Sequence, residues 1–190
     1  MTPSSSWLLF GKPYFVTLQS KRTFGGLMLQ EYAYYGLLGA LTIALLFASF
    51  TDLKSRRIAN WLNAAIALAA PAFWWASGLD LWPGVAQQFG IALATFAVCA
   101  ALFAVRMMGG GDVKLLTALA LWVPPAAFMK LIVVMALAGG VLTLLFGAWH
   151  ITRRRRDRIA IPYGVAIAFG ALWVIGTDEL GRASALSVIG

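Results

Sequence analysis

The chain has 190 residues, 61% of them hydrophobic and 12% charged, against about 45–50% apolar and about 25% charged in soluble domains. At a mean hydropathy of +0.82, too few polar residues remain to coat so much apolar surface. This excludes a water-soluble globular domain and makes lipid the solvent. The net charge of +8 sits in tight clusters between apolar runs, a pattern of topology signals and anionic headgroup contact and not of a nucleic-acid-binding face.

Residues 1–30 are mixed in character, with Ser4, Ser5, Ser6, Lys12, Lys21 and Arg22. Their apolar stretches are too short for a signal-peptide core, and a loosely ordered N-terminal extension is expected. Uncharged runs follow from Tyr32 to Thr51, Ile58 to Leu79, Leu81 to Val105, Leu115 to Met129, Leu131 to His150 and Ile159 to Thr177. They lack the alternation of strands and are rich in Ala and Leu, so they predict helices. The fold expected is all-α, a polytopic membrane domain over residues 31–178 with six transmembrane helices and a C-terminal tail over 179–190. The fourth run is the weakest: Pro124-Pro125 ends or kinks a helix, and the run counts as a span only if Val113 and Lys114 begin it.

Cys99, the single cysteine, lies inside an apolar run and reads as packing. The single histidine, His150, ends an apolar segment beside arginines and reads as interfacial. No metal site and no cofactor are expected. Lys54, Arg56 and Arg57 follow the first run, Arg106 and Lys114 the third, and Arg153, Arg154, Arg155, Arg156 and Arg158 the fifth. The opposite side offers Asp80, Lys130, Asp178, Glu179 and Arg182. By the positive-inside rule the three basic loops are cytoplasmic.

Asp52 and Asp112 each stand beside apolar sequence at that same face, where an ionisable group is costly unless paired or wet. Taken singly, each could cap a helix or pair with Lys54 or Lys114. Taken together, they fit an aspartic protease, in which two neighbouring carboxylates share one proton. The chain has no H-E-x-x-H pair and no G-x-S-x-G elbow. Gly109-Gly110-Gly111 precedes Asp112, and three glycines permit unusual torsions and close approach of a peptide to the main chain.

The stretch Asp52-Leu53-Lys54-Ser55-Arg56-Arg57-Ile58-Ala59-Asn60-Trp61-Leu62-Asn63 resembles the first-aspartate motif of the type IV prepilin peptidases. Gly109-Gly110-Gly111-Asp112-Val113-Lys114 resembles their G-x-G-D-x-K motif, and Pro162-Tyr163-Gly164 is similar to the Pro-Tyr-Gly start of their last helix. The resemblance covers roughly residues 36 to 177. It implies a membrane aspartic endopeptidase of the bacterial inner membrane that cuts the basic leader from prepilin or pseudopilin precursors at the cytoplasmic face. Asp52 and Asp112 would be the catalytic pair, and Lys54, Arg56, Asn60, Gly109, Gly110, Gly111, Lys114, Pro162, Tyr163 and Gly164 would shape the site. Membrane lipids are the other expected contact, with self-association left open.

Two departures matter. Ala59 stands where the family often has proline, and no Cys-x-x-Cys pair is present. Longer members carry such pairs in a domain tied to N-methylation, so cleavage without methylation is expected, as in the short enzymes of Flp-type (tight-adherence) pili. Two other readings stay open at this point. One is a protease of the presenilin or signal-peptide-peptidase kind, although Thr51 precedes Asp52 and no Pro-Ala-Leu occurs. The other is a small transporter or assembly subunit that uses the aspartates for proton or cation passage.

Overall fold

The computed structural model describes residues 24–152 and 163–189. Pro162 and the arginine cluster from Arg153 to Arg158 lie outside them. The order is α1 (Phe24–Ser55), α2 (Asn60–Ser77), a kinked lead-in (Leu81–Val85) that is extended at Trp82, α3 (Ala86–Ala104), α4 (Gly110–Ala120), α5 (Pro125–Thr152) and α6 (Tyr163–Ile189). The described residues contain no strand. Helices satisfy every backbone group internally, as a chain surrounded by hydrocarbon must.

The helix ends are built locally. Gly78 takes a left-handed φ of 67° after α2, and Leu79 N donates to Trp74 O at 2.9 Å, a Schellman closure. Arg106 adopts the same region with φ 60° after α3, where Met107 N donates to Leu102 O at 2.9 Å. Arg56 does so after α1 with φ 53°. Both arginines occupy a conformation that ordinarily favours glycine or asparagine.

Helix α4 stands at the centre, packed on α2, α3 and α6, while α1 lies on α2 and α6, and α5 lies along α6. Leu115, Leu116 and Leu119 of α4 are essentially inaccessible. Large apolar side chains on the outer helices, among them Leu46, Leu68, Leu93 and Leu144, face outward. Among the described residues, four segments are long and apolar enough to cross a membrane: Met28–Ser55, Leu81–Ala104, Pro125–Leu145 and Tyr163–Ser184.

The expected fourth run, Leu115 to Met129, is not one helix. Helix α4 has 11 residues, a rise of about 16 Å, roughly half the ~30 Å of hydrocarbon. The chain breaks at Leu121–Pro124, and Pro125 begins α5. The break is buried, with Trp122 and Val123 each 4% exposed, so its polar groups need partners. Trp74 Nε1 donates to Leu121 O at 2.7 Å, and Trp122 Nε1 donates to Ile66 O at 2.8 Å. In the amide orientation that suits its surroundings, Gln88 Nε2 donates to Val123 O at 3.1 Å and to Ala120 O at 3.2 Å.

Helix α1 begins inside the stretch expected as an extension, and α6 continues through the stretch expected as a tail. At that end Tyr34 Oη donates to Glu179 Oε1 at 2.6 Å, tying α6 to α1. Cys99 is buried in α3.

Candidate active site

Because α1 ends where α4 and α6 begin, Asp52, Asp112 and Gly164 gather at one end of the bundle. Asp52 is 6% exposed and Asp112 9%. Helices α1 and α4 scarcely touch, and are held in place by α2 and α6, each of which packs on both. The two carboxylates are nonetheless close enough to act on each other's charge.

Asp112 is the third residue of α4, with Gly109 as the N-cap. Its carboxylate turns back toward Gly109, at the position the acidic residue of a capping box takes, in a first turn where the helix dipole favours negative charge. Gly109 O in turn accepts from Asp112 N at 3.1 Å and Val113 N at 3.2 Å. A Cβ on Gly109 would lie 2.8 Å from Asp112 Oδ2, so a larger residue there would push the carboxylate out of this position.

Asp52 meets the start of α6. Gly164 N donates to its Oδ2 at 2.8 Å, with the Val165 amide and the Arg56 charge also acting on it. These amides belong to the first turn of a helix, which has no internal acceptors for them. A Cβ on Gly164 would stand 2.8 Å from Asp52 Oδ2 and 3.0 Å from Ile58 Cδ1. A larger residue there would have to displace one of these side chains.

Ile58, 7% exposed, joins the two halves. Its side chain sits against Gly164, and its Cβ would be 3.3 Å from a Cβ on Gly111. A Cβ on Gly110 would meet the Phe103 ring at 3.3 Å. The three glycines before Asp112 therefore make room for neighbours. The unusual torsions expected of them are not used, since Gly78 is the one glycine with positive φ among the described residues.

Of the remaining sequence candidates, Lys114 Nζ donates to Asn60 Oδ1 at 2.8 Å, linking the first turns of α4 and α2 on the exposed side. Lys54 and Arg56 are exposed. Tyr163 is 40% exposed and lies against Gly139 of α5. Pro162 is outside the described residues. Ala59 has φ −64° and ψ 132°, the backbone shape a proline would impose, so the loop keeps that shape with alanine in place. No group of three His, Cys, Asp or Glu residues suited to a metal occurs among the described residues.

Asn63, one turn after Asn60, closes the first-aspartate stretch, but the sequence assigned it no role in the site. It is 4% exposed and its Nδ2 donates to Gly111 O at 3.3 Å. An amide three residues after another at the start of an apolar helix was the available signal.

No curated protein and no solved structure matches the chain. The sequence model of the type IV leader peptidase family matches residues 39–147, more than half of the chain. The match takes in both aspartates and the glycine run but stops short of Gly164, which reaches Asp52 through the fold alone. On that match, the chain belongs to the type IV leader peptidase family.

Proposed function

We propose that this prepilin leader peptidase uses Asp52 and Asp112 as a proton-sharing pair. The observation that carries the reading is the burial of both carboxylates at one end of the bundle, Asp52 accepting the Gly164 amide and Asp112 folded against Gly109. Buried carboxylates lacking full charge compensation are costly, and proteins keep them where chemistry uses them.

In the proposed reaction the ionised carboxylate takes a proton from a water as its oxygen bonds to the scissile carbonyl carbon. The protonated partner gives its proton to the carbonyl oxygen, which stabilises the charge developing there. When the tetrahedral diol collapses, the C–N bond breaks, the leaving nitrogen takes up a proton from the pair, and a diol hydroxyl returns its proton to the pair, leaving a carboxylic acid and one shared proton.

The substrate proposed is a prepilin or pseudopilin of the Flp type, cut at the cytoplasmic face of the inner membrane. Lys54, Arg56, Arg57, Arg106 and Lys114 all flank the aspartate end, and the positive-inside rule supports that face. The proposed topology keeps six passes, with α2 and the short α4 carried among the four long apolar helices. The product is an unmethylated N-terminus, since the one cysteine cannot supply two Cys-x-x-Cys pairs.

The test is incubation of the purified protein with a full-length prepilin, followed by mass spectrometry. A shortened pilin with a free, unmethylated N-terminus is expected, and an uncut precursor overturns the reading. Ser55→Cys should be labelled in inside-out vesicles alone; labelling from the periplasmic side overturns the assigned face.

A further inference from the structure

Asn63, the fourth residue of α2, has two polar atoms in unlike situations. Nδ2 donates to Gly111 O, and because a carbonyl accepts only a donor, this bond fixes which way the amide points. Oδ1 is fully buried and has no hydrogen-bond partner, the one buried side-chain acceptor in that state among the described residues. Native proteins rarely leave such an atom unpaired, so its partner is to be sought in something that arrives.

The setting narrows what arrives. Asn60 and Asn63 reach α4 from the first turn of α2, at Lys114 and Gly111, and so bracket Asp112. The carbonyls nearby are occupied: Gly109 O takes the amides of Asp112 and Val113, and Gly111 O takes Asn63. A peptide brought out of water to the start of α4 must find acceptors for its backbone N–H groups. Asn63 Oδ1 is the acceptor left vacant there.

We infer that Asn63 binds the main chain of the precursor: Oδ1 accepts a backbone N–H beside the scissile bond, while Nδ2 holds Gly111 and hence the turn that carries Asp112. This rests on the prepilin-cleaving reading of the same site.

The test uses semisynthetic precursors in which an ester replaces one amide at a time around, but not at, the scissile bond, removing a single N–H. With the wild-type protein, one ester position is expected to lower kcat/KM about tenfold. Asn63→Ala should lower cleavage of the all-amide precursor by a similar factor and lose most of its sensitivity to that ester. Such non-additivity marks a direct contact. A purely structural Asn63, or one that holds a buried water, would leave the ester loss equal in both enzymes, and that result overturns the inference. Asn63→Leu, close in volume, serves if the alanine variant does not fold. A wild-type scan with no sensitive position overturns it without any variant. Failure of the wild type to cut the all-amide precursor would sink the peptidase reading itself, a different result from cleavage that ignores the esters.

Discussion

Two places in this bundle bury polar groups, and they treat them differently. At the break after α4, the freed carbonyls of Ala120, Leu121 and Val123 are met by the neutral donors of Gln88 and Trp74. At the aspartate end, two carboxylates stand within reach of each other's charge, and Asn63 Oδ1 has no partner. The chain is therefore able to pair buried polar atoms with uncharged side chains where only structure is at stake. Where it leaves charge and a vacant acceptor instead, the cost is consistent with chemistry.

Substitutions in each region should separate the two roles. Asp52→Asn or Asp112→Asn should lower cleavage by about 10³-fold or more with melting unchanged, since each removes one partner in proton transfer. Gly164→Ala should cost about 100-fold in kcat, because its Cβ would push Asp52 Oδ2 or Ile58 aside and misplace the pair. Gly36→Ala, where a Cβ meets nothing within 4 Å, is the matched control and should cut normally.

The break should respond in the opposite sense. Gln88→Leu should destabilise the protein by about 1–3 kcal/mol, by stranding the carbonyls of Ala120 and Val123, while the folded fraction keeps its turnover. If it instead abolished turnover at unchanged stability, the contrast between the regions would fail. The smallest effect is expected for Ala59→Pro, whose φ already suits proline, with a gain of about 0.5 kcal/mol in thermal melts of detergent-solubilised protein. A loss there would show that the Ala59 amide has a role of its own.

Much of the helical architecture was legible because lipid leaves the chain few alternatives: long uncharged runs must be helices, and alternate loops must share an end. That Asp52 and Asp112 lie at one end follows from such counting. The length of α4 was not legible. Pro124-Pro125 announced a break, but a helix ending inside the bundle depends on Trp74, 47 residues away from Leu121, and on Gln88 in α3. The glycines were visible, yet their reason was not. Gly109 and Gly164 are small because Asp112 and Asp52 press on them, and for Gly164 that neighbour is 112 residues away. The role of Asn63 was hidden for the same reason, since Gly111 is 48 residues from it.

The central claim, that the two buried aspartates perform the cleavage together, is tested most directly by co-expressing a prepilin with the wild-type protein, Asp52→Asn or Asp112→Asn at matched membrane levels and following the precursor by immunoblot. Complete processing by the wild type and none by either variant is expected. Normal processing by either one would contradict the claim.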